Sequence, residues 1–121
     1  MERRTFGVGQ EWLVDASGCD ADLLRDLNTL AALFETLVVT LNLKVIGQPQ
    51  WHAFPEPGGV TGLALLSESH LAIHTFPEHR YAALSVYSCR ENAAPDFGAL
   101  MRKHLRAEST TGREITRSAV S

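Results

Sequence analysis

Three strand-like runs with short connections between them constrain the fold of this chain more than any other feature. The runs cover residues 60–66, 70–75 and 83–88, and the links between them contain polar residues or proline. Runs of this length, rich in apolar and β-branched residues and bounded by turn residues, are typical of strands. Because neighbouring strands with short links pair antiparallel, the pattern predicts an antiparallel meander.

A long segment with helical spacing precedes the meander. Residues 20–43 place apolar side chains three or four positions apart, which predicts one long amphipathic helix. Asp20 or Asp22 could cap it by accepting backbone N–H groups of the first turn. Residues 48–59 contain three prolines and two glycines, so we expect a loop there.

The remaining elements complete a small mixed fold. We expect a short first strand at residues 10–14, a second helix at 95–106 and a last strand at 112–119. The order β-α-β-β-β-α-β predicts an α+β two-layer sandwich, in which two helices cover one face of an antiparallel sheet. At 121 residues and 45% apolar, the chain fits one domain, residues 1–121.

Charge and hydropathy indicate which kinds of partner to expect among nucleic acids, membranes and small molecules. A net charge of −3 gives no electrostatic reason to expect nucleic acid or an anionic membrane, so we expect a small-molecule substrate. No apolar run approaches the roughly 20 residues of a membrane span, and the first residues do not resemble a signal peptide. We therefore expect a cytoplasmic protein, in which Cys19 and Cys89 are both thiols.

The segment 66–78 places a Glu-Ser bond beside two histidines at the end of a strand. The hydroxyl of Ser69 could attack the carbonyl of Glu68 and convert the amide into an ester. Elimination from that ester would leave a ketone at a new N-terminus. Taken alone, a polar turn between strands is the commoner meaning of such residues, so the case for self-cleavage depends on the surrounding pattern.

A metal site at the two histidines is excluded by spacing. His70 and His74 share one face of the predicted strand, but four strand residues separate them by about 13 Å. One ion about 2 Å from each ligating nitrogen cannot bridge that distance. We predict no metal.

These motifs together resemble the bacterial and archaeal S-adenosylmethionine decarboxylase proenzymes, a pyruvoyl-dependent family. The resemblance extends from about Gly18 to about Ala94. The segments that carry it are 18–20, 59–62, 66–70, 73–78, 81–83 and 88–89.

The resemblance implies a self-processing enzyme. The chain would be cut between Glu68 and Ser69 into residues 1–68 and 69–121, and a pyruvoyl group derived from Ser69 would be the cofactor. Its ketone would form a Schiff base with the substrate amine and accept electrons as carbon dioxide leaves. The substrate would be S-adenosylmethionine, the product would be the aminopropyl donor for spermidine synthesis, and the cleaved protomers would form a homodimer.

The resemblance also assigns roles to three residues of the reaction. His74 would be the base that removes the Ser69 α-proton, Thr61 would support processing, and Cys89 would return a proton to the substrate α-carbon. Without the resemblance, His74 is typical of a structural histidine and Cys89 of a small buried filler.

Substrate contacts are expected from two aromatic residues and one carboxylate. Phe54 and Phe76 could stack on a purine or attract a sulfonium cation, and Glu78 could attract a cationic substrate. The simpler interpretation is that both rings belong to the core and that Glu78 lies in a solvated turn.

Three departures from the family pattern fall on the substrate side. Phe76 replaces a tryptophan, Arg90 stands where glycine is common, and the loop before Gly59 holds one extra residue. These departures keep two alternatives open. One is a pyruvoyl-dependent arginine or ornithine decarboxylase on the same fold, and the other is a non-catalytic homologue.

Overall fold

All strands in the described part of this chain belong to one antiparallel sheet, which confirms the predicted fold class. The computed structural model describes residues 8–89 and 93–119; Arg90 lies outside them. The strands are β1 (Val8–Ser17), β2 (Gln50–Ala53), β3 (Val60–Leu66), β4 (Ser69–Phe76), β5 (Tyr81–Ser88) and β6 (Ser109–Ser118). The helices are α1 (Ala21–Leu24), α2 (Leu27–Thr40) and α3 (Phe97–Leu105), with a 3-10 turn at Pro77–His79. The strand order is β2-β3-β4-β5-β1-β6.

The two faces of the sheet have different surroundings. Alternate residues of β3, β4 and β5 are buried against the helices, as the two-residue period of a strand requires. The other face, which we call the open face, is covered by no helix in the described part of the chain. It carries the partly exposed apolar side chains Leu63, Leu65, Phe76 and Ile115.

The single helix predicted for residues 20–43 is wrong, because two helices occupy this segment. The side chain of Asp20 caps α1, and the side chain of Asp26 caps α2 by accepting the Thr29 N–H. A second capping residue only six positions after the first starts a new helix, although apolar spacing continues across the break. None of the helices in the described ranges is long and apolar enough to cross a bilayer.

The break between α1 and α2 is tied to the sheet by a buried hydroxyl. Thr75 of β4 donates its hydroxyl hydrogen to the carbonyl of Leu24 at 2.7 Å. The same oxygen accepts the N–H of Val60 at 2.9 Å. Thr75 therefore satisfies one carbonyl that the helix end leaves unpaired, and it fixes α1 over the start of β3.

The predicted loop at residues 48–59 is wrong in part, because it contains the edge strand β2. β2 pairs with β3, and Trp51 lies opposite Gly62. The Trp51 ring covers the backbone of Gly62 so closely that a Cβ added there would overlap it. The ring also packs on Phe34 of α2, with 4.8 Å between centroids. The packing of Trp51 on Gly62 and Phe34 thus holds β2 in the sheet. The prolines on either side of β2 predicted a loop instead of this strand.

Candidate active site

The Glu-Ser bond lies at the turn between β3 and β4. Leu66 pairs with Ser69, so Ser67 and Glu68 form a two-residue hairpin turn. The N–H of Ser67 donates to the Lys44 carbonyl at 2.9 Å, and the N–H of Cys89 donates to the Glu68 carbonyl at 2.9 Å. Backbone hydrogen bonds therefore hold the turn on both sides. The Cys89 N–H also polarises the carbonyl that Ser69 would attack.

Ser69 combines burial with an unpaired hydroxyl. The residue is 8% exposed, and its Oγ has no hydrogen-bond partner among the described residues. Buried hydroxyls are nearly always paired, so an exception points to a functional role. No hydrogen bond has to be broken before this Oγ turns toward the Glu68 carbonyl.

Cys89 lies beside the turn on the open face. Its Sγ is 3.8 Å from the Tyr87 hydroxyl, and the Tyr87 ring stacks on His70 with centroids 5.5 Å apart. The hydrogen bond with Cys89 is the main reason that the pKa of Tyr87 is raised. We call Glu68, Ser69, His70, Tyr87 and Cys89 the cleavage end of the site. The structure therefore brings predicted Cys89 next to the Glu68–Ser69 bond.

Thr61 and His74 form a pair at the opposite end of β4. They are direct cross-strand partners, and Thr61 Oγ1 is 3.2 Å from His74 Nδ1. If Nδ1 carries the hydrogen and donates it to Thr61, Nε2 is left free to accept a proton. Thr61 can therefore fix the orientation and tautomer of the predicted base. No group of three potential metal ligands occurs in the described part of the chain.

A cavity of about 470 Å³ opens beside the Thr61–His74 pair. Its lining includes every predicted substrate contact, and we call this group the pocket end: Phe54, Glu56, Thr61, His74, Phe76 and Glu78. The sequence did not indicate Glu56 as a separate substrate contact. Its position in a loop rich in proline gave no periodic signal, although a carboxylate in that loop is visible in the sequence.

Residues of three strands support the Phe76 ring from the open face. Tyr81 stacks on Phe76 with centroids 5.6 Å apart and donates its hydroxyl to Asp15 at 2.6 Å. Arg113 of β6 donates to the same carboxylate at 3.2 Å. The hydrogen bond to Asp15, followed by burial, raises the pKa of Tyr81. The tyrosine therefore remains a neutral, fixed support for the aromatic wall of the cavity.

Ser69 and His74, which the resemblance assigns to the same reaction, lie far apart within one chain. Ser69 and His74 are five positions apart on β4, which is roughly 17 Å along a strand. Their side chains also point to opposite faces, because five is an odd number of strand positions. Within one chain, His74 and Thr61 adjoin the cavity, whereas the Glu68–Ser69 bond adjoins Cys89.

Comparisons with known proteins identify the family of this chain. A family model described as S-adenosylmethionine decarboxylase matches residues 10–118. The S-adenosylmethionine decarboxylase proenzyme of Pyrococcus horikoshii is 37% identical over 89 residues, which are 74% of this chain and 63% of the relative. The chain thus spans under two thirds of that archaeal relative. The proenzyme of Pelotomaculum thermopropionicum is 33% identical over 93% of this chain and 89% of its own length.

A solved structure is similar over nearly the whole chain. The crystal structure of the adenosylmethionine decarboxylase from Aquifex aeolicus has a TM-score of 0.76 and is 29% identical. The alignment covers 97% of this chain and 96% of that one. Motif, fold and matched relatives agree, and the chain belongs to the S-adenosylmethionine decarboxylase family.

Proposed function

We propose that this chain cuts itself between Glu68 and Ser69 and then decarboxylates S-adenosylmethionine to give the aminopropyl donor for spermidine synthesis. The observation that supports the cut most strongly is the Ser69 Oγ, which is buried and has no hydrogen-bond partner among the described residues. The adjacent Glu68 carbonyl accepts a hydrogen bond from the Cys89 N–H. Family membership supports the substrate, since the matched relatives bear the name of that activity and several are named proenzymes. The cytoplasmic location stays a prediction.

The proposed cut needs only atoms of this chain and one water molecule. Ser69 Oγ bonds to the Glu68 carbonyl carbon, and the peptide C–N bond breaks to leave an ester and a free amine. Removal of the Ser69 α-proton then expels the Glu68 carboxylate and leaves dehydroalanine. Water adds to its imine tautomer, ammonia leaves, and a ketone remains at position 69. The Cys89 N–H stabilises the oxyanion of the first step.

The residues at the cleavage end fit a pyruvoyl group. Its carbonyl supplies an electrophile for the substrate amine and an electron sink for the loss of carbon dioxide. Cys89, exposed on the open face beside position 69, is the proposed donor of the proton that replaces the carboxylate. Tyr87 holds the thiol in place through their hydrogen bond.

The pocket end suits the rest of the proposed substrate. A cavity of about 470 Å³ is within the size range of small-molecule sites. The rings of Phe54 and Phe76 can stack on adenine, and Glu78 and Glu56 place negative charge near the sulfonium cation. The aromatic walls favour this substrate over arginine or ornithine, which carry no aromatic group.

A second copy of the chain is proposed to complete the site. His74 lies too far from Ser69 of its own chain, yet the open face is apolar enough to pack on another sheet. Stacking two open faces about a two-fold axis would place the pocket end of one copy over the cleavage end of the other. The base and the scissile bond would then come from different protomers.

Another arrangement within one chain would use His70. This residue follows Ser69 directly and stacks on Tyr87 at the cleavage end. Co-expression of Ser69→Ala with His74→Ala separates the two arrangements. If His74 acts across the dimer, the His74→Ala chain is cut by its partner's histidine, although neither variant is cut alone. Absence of any cut product in the co-expressed pair would reject the proposed dimer site.

Intact mass under denaturing conditions tests the proposed function as a whole. We expect two fragments, residues 1–68 and a second piece that begins with a pyruvoyl group, and a single uncut chain for Ser69→Ala. The processed protein should release carbon dioxide from S-adenosylmethionine and not from arginine or ornithine. An uncut wild-type chain without turnover would support the non-catalytic homologue instead.

A further inference from the structure

We propose that Arg25 is a positioning residue that fixes the width of the substrate cavity. The inference rests on the proposed function, because it takes the cavity at the pocket end as the substrate site. Arg25 does not line that cavity. It acts through the loop at residues 54–59, which forms one wall.

Arg25 contacts this loop and helix α1 through two different nitrogens of its guanidinium group. Its Nε donates to the Pro57 carbonyl at 3.0 Å, and its Nη1 pairs with Asp22 at 2.8 Å. The Arg25 side chain is only 33% exposed, whereas that of Asp22 is 93% exposed. The ion pair is therefore largely screened by solvent, and its main effect is to orient the guanidinium toward the Pro57 carbonyl.

The loop is shaped to receive this contact. Gly58 has a φ of +87°, and a Cβ added there would lie 3.3 Å from Arg25 Nε. Inside the loop, the Gly58 N–H donates to Pro55 and the Phe54 N–H donates to Gly59, both at 2.8 Å. The loop is therefore a compact unit, and Arg25 can move or fix it as one body.

The same end of α1 also holds the opposite wall. The Leu24 carbonyl accepts the Thr75 hydroxyl at 2.7 Å, and the next residue on β4 is Phe76. Two consecutive residues, Leu24 and Arg25, thus bind the two walls that carry Phe76 and Phe54. Their separation sets the gap into which a flat ring must fit. Without the Arg25 contact, we expect the Phe54 wall to lose its fixed distance from Phe76.

Binding of methylthioadenosine to the processed protein tests this inference. This probe carries the purine and ribose of the proposed substrate but not its α-amino group, so its binding does not involve the pyruvoyl group. We expect Arg25→Met to raise its Kd about tenfold in calorimetry, and Arg25→Lys, which can make only one of the two contacts at a time, to give an intermediate value. The KM for S-adenosylmethionine should rise in parallel while kcat per processed site changes less than about twofold.

Two controls identify the cause. Arg102→Met removes an exposed arginine of α3 and should leave the Kd unchanged. Asp22→Asn removes only the solvent-exposed ion pair and should change the Kd less than about twofold. If wild type binds the probe and Arg25→Met binds it equally well, the role of Arg25 is wrong. If wild type does not bind it, the cavity is not the purine site, and both this inference and the proposed substrate pocket fall.

Discussion

The two cysteines show how surroundings set the chemistry of one residue type. Cys19 is fully buried, its N–H donates to the Arg80 carbonyl, and Arg80 Nε donates to the Cys19 carbonyl at 2.7 Å. Burial raises the pKa of the Cys19 thiol to about 11, although the nearby Arg80 charge lowers it in part. Cys89 is exposed next to the proposed reaction centre. Both are thiols, as the sequence predicted.

Iodoacetamide should therefore leave Cys19 unmodified in the native protein at mildly alkaline pH and modify it after unfolding in urea. The reactive species is the thiolate, which burial and a raised pKa make scarce. Peptide mass spectrometry of native and unfolded samples measures the difference, and Cys89→Ser isolates the Cys19 signal. Rapid native modification of Cys19 in that variant would contradict the prediction.

At the scale of the element, the edge strand β2 depends on one glycine of its neighbour. Because the Trp51 ring lies directly on Gly62, Gly62→Ala should lower the free energy of unfolding by about 1–3 kcal/mol. Gly112→Ala in β6 is the matched control, since a Cβ added there has no atom within 4 Å. Urea denaturation of both variants measures the difference. Equal stability of the two variants would show that the ring moves away at little cost.

Helix α3 contains a histidine that links stability to pH. Burial, and secondly the charge of Lys103, lower the pKa of His104 below its usual 6.5. Its Nε2 has no hydrogen-bond partner among the described residues. As pH falls below about 6.5, His104 takes up a proton in the unfolded chain before it does so in the folded chain. Acidification therefore lowers the free energy of unfolding.

His104→Leu should remove this part of the acid sensitivity. We expect the urea midpoint of the variant, relative to wild type, to rise as pH falls from about 7 to about 5. Between pH about 7 and about 8 the difference should stay constant, because His104 is then neutral in both states. A difference that does not vary over the whole range would mean that this histidine takes up its proton alike in both states.

Elements with a clear period were predictable from sequence, and elements held by single contacts were not. β3 was predicted with its observed bounds, and β4, β5 and α3 to within two residues at each end, because alternation and capping signals agree there. β2 has only four residues, three of them exposed, so no pattern marks it. The break before α2 was missed because apolar spacing continues through it, although Asp26 is a visible capping residue.

The sequence indicated only in part which candidate site residues lie together. Every predicted substrate residue lines one cavity, and Cys89 lies beside the Glu68–Ser69 bond. The separation of Ser69 from His74 follows from the same strand spacing that excluded a metal between His70 and His74. Arg25 could not be found in this way, because its contact with Pro57 joins positions 32 residues apart.

At the scale of the whole molecule, the open face is the surface through which two copies are proposed to associate. Leu65 is 60% exposed in the single chain and lies on the open face, directly opposite His70 of the cleavage end. Leu65→Asp should convert the proposed dimer into a 13.3 kDa monomer and prevent the proposed cut, because a charge buried between two sheets is costly. Analytical ultracentrifugation and gel electrophoresis measure the two effects.

Val39→Asp is the matched control for this experiment. Val39 is 78% exposed on α2, on the side of the sheet away from the open face. That variant should remain a dimer and should still be cut. A Leu65→Asp protein that stays dimeric and fully processed would show that the copies associate through another surface.

The strand order affects how the protein would refold after the proposed cut. Residues 1–68 supply β1, β2 and β3, residues 69–121 supply β4, β5 and β6, and β1 lies between β5 and β6. The two pieces would therefore be interleaved, and separating them would break the β3–β4, β5–β1 and β1–β6 pairings together. Once fully denatured, however, they would have to find each other by diffusion, and recovery would become second order in protein concentration. Maturation would turn a chain that folds by itself into two pieces that stay associated when native but refold inefficiently after denaturation.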